Sequence, residues 1–252
     1  MLFYRDIVLE REGSSLTGTL AEPAELASPA PAVLLIADIW EDLESEEVMR
    51  ALAKELGSRG IASFAIPLVL DSGDGLRQIE DLLEDAQQAL AYLRAQPMVD
   101  SRCCGILGYG VGAPLAATLA REDGRLLTIA MLAPLIEWDV LLPIRPLLPG
   151  RKQRLGIPEV GPLWLEATRS TRLLEAYGDL VLPVLLVHGN RDPFIPIGHS
   201  QEIRTLLEEK DCSVKLVSIE GANHTFVSDN LRQFVGSEVA NWFELLLQAA
   251  AV

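Results

Sequence analysis

The sequence has few basic residues for its size. Lys and Arg number 21 against 36 Asp and Glu, which gives a formal net charge of −15 over 252 residues. A chain this acidic repels the phosphates of nucleic acids and cannot gain from releasing their counterions. We therefore expect no nucleic-acid partner.

Cysteine is also scarce, and long apolar runs are missing. Cys103, Cys104 and Cys212 are odd in number, and the first two are adjacent, which is a poor geometry for a disulfide between them. No uninterrupted apolar run reaches the roughly 18 residues of a membrane span, and no basic segment followed by an apolar one opens the sequence. These features predict reduced thiols, no membrane partner and a cytoplasmic location.

Apolar residues are plentiful and recur in an alternating pattern of short runs and helical periods. They make up 49% of the chain, enough for one large core, so we expect a single domain over residues 1–252. Strands that alternate with helices predict an α/β fold with a mostly parallel sheet covered on both faces. The first two predicted strands, 5–10 and 16–21, form a hairpin around Gly13. The other predicted strands are 32–37, 61–66, 102–107, 126–132, 183–188 and 213–218. Two predicted helices begin at Ser45, the expected N-cap, and at Leu76, and three more span 111–121, 199–209 and 230–249.

One segment interrupts this rhythm. About 50 residues at 134–182 separate two strands that an ordinary crossover would join with far fewer, and only 163–177 has a helical pattern. The sequence therefore predicts an inserted cap at about 134–182. The cap has six basic and two acidic residues between 141 and 172, which favours either a solvated surface or an entrance that attracts anionic ligands. The basic residues are Arg145, Arg151, Lys152, Arg154, Arg169 and Arg172.

A glycine-rich turn lies where an enzyme of this fold class carries its nucleophile. Gly108-Tyr-Gly110-Val-Gly112 follows a predicted strand and precedes a predicted helix, as the G-x-S-x-G elbow does, but its central residue is Gly110. A carboxylate, Asp192, and an imidazole, His224, follow two later strands. The order of elbow, acid and histidine is that of the α/β-hydrolase triad.

The sequence resembles the α/β-hydrolases, and within them the dienelactone-hydrolase-like esterases and lactonases. The most specific segments are His188-Gly-Asn-Arg-Asp192-Pro and Gly221-Ala-Asn-His224-Thr-Phe, together with Asp38-Ile39-Trp40. The resemblance implies hydrolysis of a small carboxylic ester or lactone. We expect no cofactor, and no metal site either, because His188, His199 and His224 share no ligand spacing. The resemblance also implies the roles of the site residues: Asp192 orients His224, His224 is the general base, the amides of Ile39 and Val111 form the oxyanion hole, and Asp38 faces the pocket. Trp40 and Tyr109 are further candidate substrate contacts.

Gly110 departs from the family pattern at the nucleophile and leaves four alternatives. Water activated by His224 and Asp192 could replace the nucleophile, with no covalent acyl intermediate. The chain could instead bind a small molecule, an anionic one included, without turning it over. Another nucleophile could serve, although Cys103 and Cys104 lie too far upstream, or Gly110 could be an engineered change. If only the reactive atom is missing, Gly110→Ser should restore esterase activity.

A different class of function fits the same glycines. Gly108-x-Gly110-x-x-Ala113 matches the dinucleotide-binding pattern G-x-G-x-x-A. The acidic residue that would bind the ribose is missing from the end of the next strand, where the first acid is Glu137. A dinucleotide site would also leave the Asp192 and His224 segments unexplained, so we expect the hydrolase class.

Overall fold

The computed structural model of the chain describes residues 1–11, 14–24, 29–39, 43–69, 77–140 and 173–248. Within these ranges it has eight strands and six helices in one alternating order. The strands are β1 Leu2–Arg11, β2 Ser14–Pro23, β3 Ala30–Ile36, β4 Ala62–Ile66, β5 Val99–Tyr109, β6 Leu126–Leu132, β7 Val184–Gly189 and β8 Val214–Ile219. The helices are α1 Leu43–Ser58, α2 Ile79–Arg94, α3 Gly112–Glu122, α4 Leu173–Gly178, α5 Gly198–Glu208 and α6 Asp229–Gln248.

All eight strands belong to one sheet, in the order β1-β2-β4-β3-β5-β6-β7-β8. The six strands from β3 to β8 run parallel, and β1 and β2 pair antiparallel at one edge. This arrangement confirms the predicted hairpin and the mostly parallel sheet. Parallel strands need crossover connections, and the helices supply them.

Helices cover both faces of the sheet because the central strands are apolar on both sides. β3, for example, is buried along almost its whole length. One core cluster joins the sheet to α2, α3 and α5, and the other joins it to α1 and α6. Burial on two faces explains why these strands have continuous apolar runs in place of an alternating pattern.

One predicted helix start needs correction, and the predicted cap is only partly described. The first helix begins at Leu43, so Ser45 lies inside it and is not its N-cap. The cap predicted at 134–182 lies mostly outside the described residues, together with its six basic side chains. Of the helix predicted at 163–177, the described part is α4, which ends at Gly178. The cap and the single-domain organisation remain predictions.

The turn between β5 and α3 has the backbone geometry expected of an elbow. Gly110 has φ +54°, in the left-handed region that favours glycine. Its amide donates to the Leu132 carbonyl at 2.9 Å, which ties the turn to β6. Gly108 lets α3 approach β5, because a Cβ there would come within 2.4 Å of the Gly112 carbonyl oxygen and 2.5 Å of the Ala113 Cα.

This close approach predicts a stability effect at Gly108. Gly108→Ala should lower the free energy of unfolding by about 3 kcal/mol, because the new methyl group meets backbone atoms that cannot rotate away. Gly124→Ala is the matched control, since a Cβ at Gly124 has nothing within 4 Å. Urea denaturation of both variants measures the difference, and equal midpoints would contradict the packing argument.

Candidate active site

Four chain segments meet at the carboxyl edge of the sheet. Asp38 follows β3, Gly110 follows β5, Asp192 follows β7 and His224 follows β8. Parallel strands place all of these loops at the same edge, which is where α/β proteins form their sites. The structure therefore brings together residues that are as far as 186 positions apart in the sequence.

Asp192 and His224 form a buried pair. His224 Nδ1 lies 2.6 Å from Asp192 Oδ2, and the other carboxylate oxygen accepts the amides of Phe194 and Ile195 at 2.8 and 2.9 Å. Burial raises the pKa of Asp192, but hydrogen bonds from His188 and His224 outweigh it and hold that pKa well below the usual range. Asp192 is therefore the ionised partner that orients His224.

Asp38 occupies the place where a substrate oxygen would be expected. Its Oδ1 accepts the Ile39 amide at 2.7 Å and the Val111 amide at 3.0 Å, the two groups assigned above to the oxyanion hole. Its Oδ2 accepts from His224 Nε2 at 2.8 Å. The side chain of Asp38 has no exposed surface.

Asp38 also fills the space that the missing nucleophile leaves. A Cβ added to Gly110 would lie 1.9 Å from Asp38 Oδ2 and 2.5 Å from Oδ1. The water-activated alternative needs a water molecule in this space, which the Asp38 carboxylate fills in the described structure. The physical reason is that a carboxylate gains three donors here, from two amides and one imidazole.

The imidazole of His224 is held in its charged form. Burial lowers the pKa of His224, but hydrogen bonds to Asp192 and Asp38 outweigh it and raise the pKa to about 10. Ionised carboxylates only accept hydrogen bonds, so both ring nitrogens must carry hydrogen to satisfy both partners. The raised pKa thus describes an imidazolium hydrogen-bonded to the side chains of Asp192 and Asp38.

Aromatic rings fix the position of His224. Tyr109 stacks on the imidazole with ring centroids 5.0 Å apart, and its hydroxyl donates to the His224 carbonyl at 2.8 Å. Phe194 meets the ring edge-on at 5.7 Å. Tyr109 is completely buried, so in this position it supports the histidine and does not face a ligand. Trp40, the third expected substrate contact, lies outside the described residues.

The other histidines are structural. His188 Nε2 lies 2.8 Å from the Ile195 carbonyl and 3.4 Å from Asp192 Oδ2, and its Nδ1 lies 2.7 Å from the Ser200 hydroxyl. A carbonyl only accepts, so Nε2 carries the hydrogen. Burial is the main cause that lowers the pKa of His199 to about 4. Cys103 and Cys104 are buried in β5, which fits their interpretation as core thiols.

The described residues contain no group of three or more His, Cys, Asp or Glu side chains arranged to hold a metal ion. None of the helices in the described ranges is long and apolar enough to cross a membrane.

Comparison with known families decides the class. Residues 69–247 match the sequence profile of the Dienelactone hydrolase family, which is more than half of the chain. The chain belongs to the dienelactone hydrolase family. This assignment confirms the hydrolase class over the dinucleotide-binding alternative. The match covers Gly110, Asp192 and His224 but begins after Asp38.

One curated relative is the esterase FrsA of Photorhabdus laumondii, 28% identical over 131 residues. Those residues are 51% of this chain and 31% of FrsA, so the chain spans about a third of that relative. Part of this chain is thus similar in sequence to an esterase. The activity of the whole FrsA protein does not transfer on this coverage.

Solved structures share the fold. Est1E from Butyrivibrio proteoclasticus superposes with a TM-score of 0.74 at 17% identity, over 97% of this chain and 99% of that one. The esterase domain of a Rhodothermus marinus protein superposes with a TM-score of 0.68 at 17% identity, over 97% and 100% of the two chains. These similarities confirm the α/β-hydrolase fold.

Proposed function

We propose that this chain is a pseudo-hydrolase toward acyl substrates, a dienelactone hydrolase family member that does not turn over esters or lactones. The observation that carries the proposal is the position of the Asp38 carboxylate. It takes both amides that a carbonyl oxygen would need, and it lies where a nucleophile at position 110 would stand. Without the oxyanion hole, attack on an acyl carbon loses a stabilisation of about 3–4 kcal/mol.

The state of His224 supports the same proposal. A general base must accept a proton from the attacking group, and an imidazolium with both nitrogens bonded to carboxylates cannot do so. This argument applies equally to water as the attacking group. The water-activated alternative is therefore less well supported than the non-catalytic one. A small-molecule ligand, anionic or not, remains a prediction, because the basic residues of the cap lie outside the described residues.

Two measurements test the loss of acyl transfer. Incubation with a fluorophosphonate, followed by intact-mass analysis, should give no stoichiometric adduct, because Gly110 has no atom to modify. Hydrolysis of p-nitrophenyl acetate and of a small lactone should be no faster with this chain than with its His224→Ala variant, which serves as the control for background reactivity. A one-to-one adduct, or ester turnover that depends on His224, would overturn the proposal.

A further inference from the structure

The two oxygens of Asp38 have different surroundings, and neither the family assignment nor the proposed function uses this difference. Oδ1 accepts two backbone amides, whereas Oδ2 accepts from His224 and lies against Gly110. Oδ2 therefore occupies the position of a nucleophile, and Oδ1 occupies the oxyanion hole. A carboxylate held in this way is arranged as an attacking group with its second oxygen already stabilised.

We propose that Asp38 is a nucleophile toward saturated carbon, so that the chain hydrolyses alkyl halides or alkyl sulfonates to alcohols. Carboxylates of Asp and Glu do act as covalent nucleophiles in enzymes. This activity goes beyond the proposed loss of acyl transfer and does not depend on it, because the substrate and the reacting carbon are different.

The occupied oxyanion hole separates the two reactions. Attack on an acyl carbon creates an oxyanion on the substrate, which needs the two amides that Asp38 already uses. Displacement at a saturated carbon creates no oxyanion on the substrate, so the first step does not need a free hole. The same contact that blocks ester hydrolysis is thus compatible with alkyl displacement.

The first step is a displacement. Asp38 Oδ2 donates an electron pair to the alkyl carbon, the bond from that carbon to the leaving group breaks, and the halide or sulfonate departs with the bonding pair. The product is an alkyl ester of Asp38 and a free anion. No proton is transferred, and no oxidant or reductant is needed.

The second step is hydrolysis of that ester. Water bonds to the Asp38 Cγ while its proton passes to His224, and the negative charge develops on Oδ1, where the Ile39 and Val111 amides already donate. The bond from Cγ to Oδ2 then breaks, and Oδ2 leaves with the alkyl group as an alcohol after taking a proton from His224. Overall, alkyl halide and water give alcohol, halide and a proton.

The first step would also prepare His224 for the second. In the described structure two carboxylates hold the proton on the imidazole and raise the pKa of His224. Esterification makes Asp38 neutral and leaves Asp192 as the only charged partner, which lowers the pKa of His224 from its starting value. The imidazole can then lose its proton and accept one from water.

A groove lies beside Asp38. It lies between the β1–β2 hairpin, the end of β4 and α1, encloses about 920 Å³, and counts Ala37 and Asp38 among its lining residues. Part of its wall is formed by small or apolar side chains, Met49, Ala53, Ala65 and Ile66. The lining also includes the charged residues Asp6, Glu46 and Arg50. The apolar part of the wall fits a small alkyl group, so butyl bromide and methyl p-nitrobenzenesulfonate are suitable probes.

Isotope labelling tests the covalent step directly. With protein in excess over butyl bromide in oxygen-18-labelled water, the first turnover should place one labelled oxygen in the Asp38 peptide and leave the alcohol unlabelled. The reason is that water attacks Cγ, and the alcohol oxygen comes from Asp38. Label in the alcohol with none in Asp38 would overturn the proposal, and so would the absence of both bromide release and alcohol.

A trapping variant gives a second readout. His224→Gln should accumulate an alkyl adduct on Asp38, located by peptide mapping, because the base for the second step is missing. Asp38→Asn should lower halide release at least about 100-fold, and Asp85→Asn, which changes another buried aspartate, should leave it unchanged. Modification confined to the half-buried Cys212, or equal rates in the two Asp variants, would show that Asp38 is not the nucleophile. Ester assays decide the proposed function separately.

Discussion

Gly110→Ser by itself is expected to have no esterase activity above background, whereas Gly110→Ser combined with Asp38→Ala should hydrolyse p-nitrophenyl acetate at least about 100-fold faster than either single variant. The sequence predicts a gain from the single change, but the structure opposes it. A serine Cβ would lie 1.9 Å from Asp38 Oδ2, and both oxyanion amides would remain occupied. Removing the Asp38 carboxylate frees the space and the amides together.

Removing the Asp38 carboxylate also changes the pKa of His224, the general base. In the double variant, Asp192 is the one remaining carboxylate partner of His224, so the pKa of His224 falls from its raised value and the ring can accept the serine proton. The left-handed conformation at position 110 should cost the serine about 1–3 kcal/mol, which a domain of this size can tolerate.

Three controls complete the esterase measurement. Asp38→Ala alone should be inactive because it has no nucleophile, and His224→Ala in the double variant should remove the gain. Circular dichroism and urea midpoints establish that each variant is folded. A Gly110→Ser protein as active as the double variant would show that Asp38 leaves the oxyanion hole readily, contrary to its observed contacts.

His224→Ala should lower the free energy of unfolding by about 3–5 kcal/mol at pH 7, because it leaves Asp38 and Asp192 as buried carboxylates without their shared cation. Adding Asp38→Ala should recover part of this loss, since it removes one of the two buried charges. Urea denaturation of the parent, the single variant and the double variant measures both effects. A double variant less stable than the sum of its single changes would contradict this account.

The pH dependence of that loss gives an independent signature. The pKa of His224 is raised from 6.5 to about 10, so the stabilisation from its charge is complete below about pH 6.5 and is lost as the pH rises through about 10. The difference between the parent and His224→Ala should therefore shrink between pH 7 and pH 10. Asp192 behaves oppositely: its lowered pKa stabilises the fold above the unfolded-state pKa of about 4, and this contribution is lost as the pH falls.

His199→Ala is the matched control for this titration. His199 is also buried, but its pKa is lowered to about 4, so it is neutral throughout the range from pH 7 to pH 10. The stability cost of His199→Ala should be constant over that range. A constant cost for His224→Ala as well would show that His224 is not an imidazolium in the folded protein.

Much of the fold follows from local sequence patterns. The buried strands are short apolar runs, and the long amphipathic helix α2 has a clear helical period of apolar residues. The glycines at 108 and 110 indicate a tight strand-to-helix turn, and the structure has that turn, with Gly110 at positive φ. Helix starts were harder to predict, because Ser45 has the chemistry of an N-cap but the helix begins before it.

The pairing of Asp192 with His224 was also predictable, from the order of the motifs and the resemblance to the family. The position of the Asp38 side chain in the oxyanion hole was not predictable in this way. Asp38 begins an acidic run that includes exposed residues such as Glu44 and Glu46, and a run of this kind normally lies in solvent. The resemblance to the family placed Asp38 at the site, but no local pattern separates its buried carboxylate from the exposed Glu44 and Glu46. The close approach of Asp38 to Gly110 could have been inferred only from the missing side chain at that position.

The sequence alone determined the alternation of strands and helices, the glycine elbow without a nucleophile, and the presence of the acid and the histidine. These depend on side-chain periodicity and on residue type, which are local properties. The tertiary structure decided that Asp38 turns inward to take both oxyanion amides and to share His224 with Asp192. That outcome depends on the ends of β3, β5, β7 and β8 meeting at one buried edge, where a carboxylate is stable only if several donors surround it.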